Sequence, residues 1–275
     1  MNTTILGLLA ESAIHAGAGR SAGIIDLPIA REAATEYPFI PGSSVKGALL
    51  DRAHRLVRSE DECKRVFGSQ EQAGQLLVAD ARLLLLPVRC LTGAYRWVTC
   101  PQILERYRRD LQRCGLESGW SNVAIPAGKD MNGVLASGQG TLYLEERVLA
   151  ITAACPAPVI DAIRPRISHA ETAERLASQL AIVSDDDMAW FCRYAIPVQV
   201  RNVLDPKTKV SNNLWHEESL PADSVLYTLA MARDSETRDQ LKALFPETDP
   251  YLQLGGNETV GHGWFAVKML DGGRS

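Results

Sequence analysis

Apolar positions crowd the start of the chain. Ile5, Leu6, Leu8 and Leu9, with Ile14 beyond, bracket polar residues, and Thr3 and Thr4 add β-branched bulk. That pattern predicts an N-terminal strand. It breaks at His15, where Gly17, Gly19, Gly23 and Ser21 crowd a segment that no helix or strand interior would sustain. An irregular loop is expected to run past Asp26 and Pro28 to Pro38 and Pro41, about 25 residues. Loops of that length inside a compact domain are usually functional or disordered.

Helical spacing follows at Val45, Ala48, Leu49, Ala53 and Leu56, with Ser43 or Ser44 as the expected N-cap after Pro41 and Gly42. The apolar run 76–88 predicts one or two strands. Pro101 opens a second helix, with Ile103, Leu104, Tyr107, Leu111 and Cys114 on one face, Arg106, Arg108, Arg109 and Arg113 on the other, and Gly115 at its end. The arginine face suits either nucleic-acid contact or plain solvent exposure. A glycine-rich loop is expected over 116–140, a strand or hairpin over 141–152 and a helix over 171–182. Asp185, Asp186 and Asp187 then precede the aromatic cluster of Trp190, Phe191 and Tyr194. Alternation over 195–203, a turn at 205–209 and a return over 213–218 describe a projecting hairpin whose tip carries Lys207 and Lys209. A strand over 225–231, a short helix over 236–245, a second glycine-rich loop over 254–263 and a closing strand over 264–269 complete the chain. Strands and helices interleave without a regular βα rhythm, so an α+β fold is expected. No internal repeat or dividing linker interrupts residues 1–275, which reads as one domain.

Composition adds limits. Hydrophobic residues make up 46% and charged residues 23% of the 275 residues, an ordinary globular balance. No apolar stretch reaches the length of a membrane span, and no basic-then-apolar signal segment opens the chain, so a cytoplasmic location is expected. The six cysteines form no C-x-x-C pair and have no histidine at zinc-finger spacing. They are expected to be reduced and mostly buried thiols. The net charge of −4 disfavours a protein that grips nucleic acid through bulk positive charge, although a local basic track on an acidic body stays open.

Candidate chemistry lies in the glycine-rich segments, because glycine lets backbone N–H groups approach an anion closely. Around Gly42, the residues Ser43, Ser44 and Lys46 combine a helix N-terminus, two hydroxyls and an ammonium group. Such a set can bind phosphate, or can be a cap and a solvated lysine. It is not a Walker A motif, since Lys46 precedes Gly47 and no Ser or Thr follows. Asp26 reads either as a turn acceptor or as a chemical carboxylate. His15 reads as structural or as an acid or base. The aspartates at 185–187 read as a helix start or as oxygen ligands for a divalent ion.

Taken together, the segments "HAGAGRSAGIIDLPIARE" at 15–32, "YPFIPGSSVKGALL" at 37–50, "SDDDMAWFCRYAIPVQVRNVLD" at 184–205, "NNLWHEESLP" at 212–221 and "LGGNETVGHGWF" at 254–265 resemble the RAMP superfamily. Within it they resemble the Cas7-like backbone subunit of type III-B (Cmr) CRISPR RNA-silencing complexes. The segment "DARLLLLPVRCLTGAYRWVTCP" at 80–101 is similar too. The resemblance implies a ferredoxin-like (RRM-like) palm with long insertions, a loop at about 16–41 and a projecting β-hairpin thumb at about 198–226. It implies copies of the chain stacked with other Cmr subunits into a helical filament along a CRISPR guide RNA. Complementary target RNA is cut at regular intervals in that filament, with a divalent metal, Mg2+ or Mn2+. Asp26 is the implied metal-binding and catalytic residue, with His15, Glu217 and Glu218 as helpers.

Guide contacts are implied at Ser43, Ser44 and Lys46, at Gly255, Gly256, Gly261, His262 and Gly263, and at the thumb tip through Lys207 and Lys209. Three positions depart from the family pattern. Leu50 stands where a basic residue is usual, with Arg52 as a nearby substitute; His262 replaces an arginine; His216 replaces an aromatic. A purely structural guide-binding subunit, and a guide-processing nuclease using His15 as base, remain alternatives.

Overall fold

The computed structural model describes residues 2–21, 23–56, 58–116, 131 and 133–272. In chain order its elements begin with β1 (Asn2–Ala10), β2 (Phe39–Ile40), α1 (Gly42–Arg55), α2 (Glu60–Phe67), β3 (Leu76–Val78), β4 (Ala81–Cys90), β5 (Gly93–Thr99) and α3 (Pro101–Arg113). Next come β6 (Val134–Ala136), β7 (Thr141–Leu144), β8 (Arg147–Ala153), α4 (Ala157–Ile163), α5 (Ala170–Gln179), β9 (Leu180–Ile182) and α6 (Asp185–Tyr194). The chain ends with β10 (Val198–Leu204), β11 (Ser211–Glu218), β12 (Val225–Ala232), α7 (Ser235–Lys242), β13 (Tyr251–Gln253) and β14 (Trp264–Asp271).

The fold is mixed α and β, built from two sheet regions that share β4. One runs β13-β14-β1-β12-β4, antiparallel throughout, with α1 following β1 in sequence and α7 following β12. The other runs β4-β5-β9-β6-β8-β7 and closes on itself where Cys90 of β4 pairs with Leu144 of β7. Closure removes free edges from this half. β10 and β11 stand apart as a two-stranded antiparallel hairpin.

β1 is buried on both faces, and Ile5, Leu6 and Leu8 lose all solvent contact. This explains why its apolar residues are nearly continuous rather than alternating. Tyr107 of α3 meets Tyr227 of β12 edge to face at 4.9 Å. The Tyr227 hydroxyl donates to Asp110 (2.9 Å), whose carboxylate also takes Arg82 of β4 (2.8 Å). The buried Asp110 charge is thereby paired and hydrogen-bonded, as a buried charge must be. All six cysteines are buried and unbonded to one another.

Several expectations change. Neither Ser43 nor Ser44 caps α1. Pro41 occupies the N-cap with no side-chain acceptor, and the Gly42 N–H is held instead by the Asp80 carboxylate (2.7 Å). β1 ends at Ala10, and Ile14 makes an isolated bridge to Leu220. The helix expected over 171–182 ends at Gln179. Leu180–Ile182 becomes a strand because β5 and β6 claim its backbone on both sides. Inside the expected loop 116–140, Val134–Ala136 is a buried strand, and positions 117–130 and 132 lie outside the described residues. The return of the hairpin ends at Glu218, and Val225 and Leu226 belong to β12 in the core. α2 and α4 were not expected. α2 carries a full capping box between Ser59 and Glu62, and α4 has proline in its first turn.

Candidate functional site

The long loop after β1 folds back as an irregular ribbon. Ala30 N–H donates to the Ala16 carbonyl (2.8 Å), Ala18 N–H to Pro28 (3.0 Å) and Ser21 N–H to Asp26 (3.0 Å). The ribbon then docks against β11. Leu27 N–H donates to the His216 carbonyl (3.1 Å), and Glu218 N–H donates to that of Leu27 (3.0 Å). Arg31 and Glu218 complete the attachment with an ion pair, and the Glu218 carboxylate also accepts the Ile29 N–H (3.1 Å). A glycine-rich segment without regular structure is thus held by backbone pairing and one buried carboxylate.

This docking places Asp26 at the root of the hairpin. Its Oδ2 accepts the His216 backbone N–H at 2.7 Å, and the His216 ring Nδ1 lies 3.5 Å away. The Asp26 side chain is half exposed. The His216 N–H holds its pKa below the usual carboxylate value, with the histidine side chain adding to that effect. Asp26 lines an open cleft of about 480 Å³ with Arg20, Ser21, Leu27, Asn213, Leu214 and Trp215.

A second cleft, of about 560 Å³, lies between α1 and the 254–263 loop. Its walls bring together His15, Ser44, Gly47, Gly255 and Gly256, with Asp51, Arg55 and Glu258 at the rim. Gly255 has a φ of +105°, and a side chain there would run into the His15 carbonyl oxygen, 2.7 Å from its Cβ. Ser43 is exposed, and Lys46 is half-buried on the helix behind the wall. Gly261 and Gly263, both at positive φ, follow a short 3-10 turn at 258–260, and His262 between them has its ring Nδ1 buried without a partner among the described residues.

The structure does not gather the other expected chemical residues around Asp26. His15 lines the second cleft, and its Nδ1 donates to the Glu218 carbonyl (2.8 Å). Glu218 is taken up by Arg31. Glu217 is buried among Asn257, Trp215 and Arg201. Arg52 turns to the carbonyls of Leu244 and Asp249 (2.6 Å each) and onto the Phe245 ring, all in the segment that follows α7. Lys207 and Lys209 are exposed at the hairpin tip, whose turn is held by the Asp205 carboxylate accepting from the N–H groups of Lys207 and Thr208.

The arginines of α3 divide. Arg106 pairs with Glu32 (2.6 Å) and Arg113 with Asp110 (3.6 Å). Asp185 holds the Gln102 N–H, while Asp187 is bonded to Ser184, so these two aspartates serve helix ends. Among the described residues, no three His, Cys, Asp or Glu side chains converge as a metal cage, and no helix is long and apolar enough to cross a membrane.

Two clefts border the glycine-rich ribbon, and the hairpin with Lys207 and Lys209 at its tip stands beside one of them. The chain belongs to the RAMP superfamily, which it matches over residues 8–266. Its particular likeness is to Cmr4. It is 33% identical to the CRISPR system Cmr endoribonuclease Cmr4 of Pyrococcus furiosus over 98% of this chain and 97% of that protein. It is 22% identical to the CMR subunit Cmr4 of Saccharolobus solfataricus, over 94% of this chain and 93% of that one. The crystal structure of oligomeric Cmr4 from Pyrococcus furiosus superimposes with a TM-score of 0.78, at 27% identity and 98% coverage of both chains. A chain of the type III-B Cmr-beta complex bound to cognate target RNA shares the fold, with a TM-score of 0.77 at 22% identity over 97% of this chain and 96% of that one.

Arg20, Asn213, Trp215 and His216 were not among the residues expected to act. His216 stood out only as a departure from the family pattern. The cleft joins positions 190 residues apart, and no local spacing announces such a pairing.

Proposed function

We propose that this chain is a guide-RNA-binding backbone subunit of a type III-B CRISPR effector, assembled in the cytoplasm with further copies of itself and other Cmr subunits, and that it cuts complementary target RNA at regular intervals. The observation that carries this reading is Asp26. It is an ionised, half-exposed carboxylate locked at the root of a hairpin whose tip carries two lysines. The chain around it is 33% identical, nearly end to end, to a protein named an endoribonuclease. We take the β14-β1-β12-β4 sheet with α1 and α7 as a ferredoxin-like palm, which its strand order supports, and the β10–β11 hairpin as the thumb.

In this reading the cleft of Ser44, Gly255 and Gly256 receives the guide backbone, with Lys46 and the 261–263 turn nearby, while Lys207 and Lys209 reach phosphates along the duplex. Contacts of this kind read shape and charge, and base pairing supplies sequence specificity. At the Asp26 cleft the reaction is attack of a target 2′-hydroxyl on the adjacent phosphorus, expelling the 5′-oxygen. A carboxylate held below its ordinary pKa is a weak proton acceptor at neutral pH, so Asp26 suits cation binding better than general-base work. One carboxylate is too few for an all-protein cage, but a hydrated Mg2+ or Mn2+ takes one or two carboxylates and fills its shell with water and substrate phosphate. Such an ion, when bound, would neutralise phosphate charge and acidify an attacking hydroxyl. Asp26 would hold it, while His216 fixes Asp26 and the docked ribbon keeps both in register with the hairpin.

The test is the assembled complex carrying Asp26→Asn. Loss of cleavage at every interval, with guide and target still bound, is the expected result. Continued cutting would leave the chain as a structural guide-binding subunit.

A further inference from the structure

We propose that Arg20 is a second catalytic residue of the Asp26 cleft, with its guanidinium set against the scissile phosphate of the target RNA. This rests on reading that cleft as the cleavage site. Arg20 lines the same cleft as Asp26. It is exposed and makes no hydrogen bond, ion pair or ring contact among the described residues. Its neighbours in function differ. Arg31, Arg52, Arg55 and Arg106 are all committed to carboxylates or carbonyls of the chain itself. Arg20 therefore has its donors to offer, in the cleft where a polyanion is to be cut.

Its position is set by backbone. Ala18 bonds to Pro28 and Ser21 to Asp26 across the ribbon, so Arg20 sits opposite the Asp26–Pro28 segment and one residue from the Ser21–Asp26 hydrogen bond. Gly19, at φ +93°, makes the bend just before it. The ribbon on either side of the Ser21–Asp26 hydrogen bond thus carries a fixed anion, Asp26, and an uncommitted cation, Arg20, at one cleft.

The chemistry needs such a group. As the 2′-oxygen forms its bond to phosphorus and the bond to the 5′-oxygen breaks, the phosphoryl oxygens gain negative charge. The proton lost from the 2′-hydroxyl to solvent is balanced by one taken up from solvent by the departing 5′-oxygen. The products are a 2′,3′-cyclic phosphate and a 5′-hydroxyl. Asp26 alone would repel the phosphate. A planar guanidinium donates two parallel hydrogen bonds to phosphate oxygens and keeps its charge throughout, so it stabilises the transition state without entering the proton transfers.

The experiment uses the assembled, guide-loaded complex with Arg20→Ala, Arg20→Lys and Asp26→Asn, reading single-turnover cleavage and target dissociation constant separately. Arg20→Ala is expected to slow cleavage about 10²- to 10³-fold with target affinity nearly unchanged. Free guanidinium ion should restore part of the rate, and Arg20→Lys should fall between. Wild-type cleavage by Arg20→Ala, or loss of target affinity in step with the rate, overturns the assignment of Arg20. Cleavage by Asp26→Asn at the wild-type rate overturns the reading of the cleft, and this proposal with it. Loss of cutting in Asp26→Asn beside wild-type cutting in Arg20→Ala rejects Arg20 alone.

Discussion

Arg31 and Glu218 form the ion pair that ties the Asp26 ribbon to the base of the hairpin. Glu218 is almost wholly buried, with its side chain 2% exposed, and Arg31 is 17% exposed. The same arginine also donates to the Cys192 carbonyl (2.7 Å) at the end of α6. One side chain thus joins the ribbon, the hairpin and a helix.

Removing one partner of a buried pair strands the other charge. Glu218→Ala is expected to lower stability by about 3–5 kcal/mol, a fall in melting temperature on the order of 10 °C for a chain of this size. Glu218→Gln should lose less, because an amide oxygen can still accept the Ile29 N–H. Thermal unfolding of the purified variants measures both. Equal melting temperatures for wild type and Glu218→Ala would mean the ribbon is held by its backbone bonds alone.

Asp26 sets a pH dependence of known sign. Its native pKa lies below the ordinary 3.8, so the stabilisation from its ionised form is complete above that value. It is lost only as pH falls through the lower native pKa. Between pH 5 and 8 the carboxylate stays charged. Any decline of cleavage across that range must then come from a different group. Titration of the Asp26 carboxyl carbon by NMR checks this, and a midpoint above 4 would refute it.

Gly255 tests the second cleft. Alanine there meets the His15 carbonyl and an unfavourable φ, and should destabilise the loop by more than about 1 kcal/mol. If the loop shifts into the cleft, each 1.4 kcal/mol removed from binding weakens the guide complex about tenfold. Gly47→Ala, on the helix wall of the same cleft, adds a methyl without straining the fold. Its added carbon has open space within α1 and is expected to raise stability by about 0.5–1 kcal/mol. Filter binding of guide RNA, together with melting temperatures, separates the two.

Lys207 and Lys209 should act through charge alone. Replacing either with alanine is expected to lower the slope of log affinity against log salt by about 0.7–0.9 for each phosphate no longer neutralised. The weakening should be similar for all matched guide–target sequences. A sequence-dependent effect would indicate base recognition at the tip.

Much of this molecule follows from local pattern. The apolar runs of β1, β4 and β12 and the stripe of α3 are set by which face each segment must bury, whereas the β10–β11 hairpin, exposed along most of its length, is marked by its β-branched residues and its turn. Proline and glycine mark where those segments stop. The family resemblance, carried by motifs along nearly the whole chain, pointed to Asp26 and to the two glycine-rich loops before any geometry was known.

Other features depended on partners distant in sequence. Leu180–Ile182 carries helix-compatible residues but becomes a strand between β5 and β6. The Gly42 N–H is held by Asp80 rather than by a neighbouring serine. Glu217 and Glu218 sit side by side in sequence yet serve opposite ends of the site, one toward Asn257 and the other toward Arg31. Successive strand residues point to opposite faces, and only the packed fold decides what waits on each. For the same reason the sequence alone determined that Asp26 lies in an exceptional loop, while tertiary structure decided its surroundings: His216 at 2.7 Å, Arg20 in the same cleft, and His15 in the other.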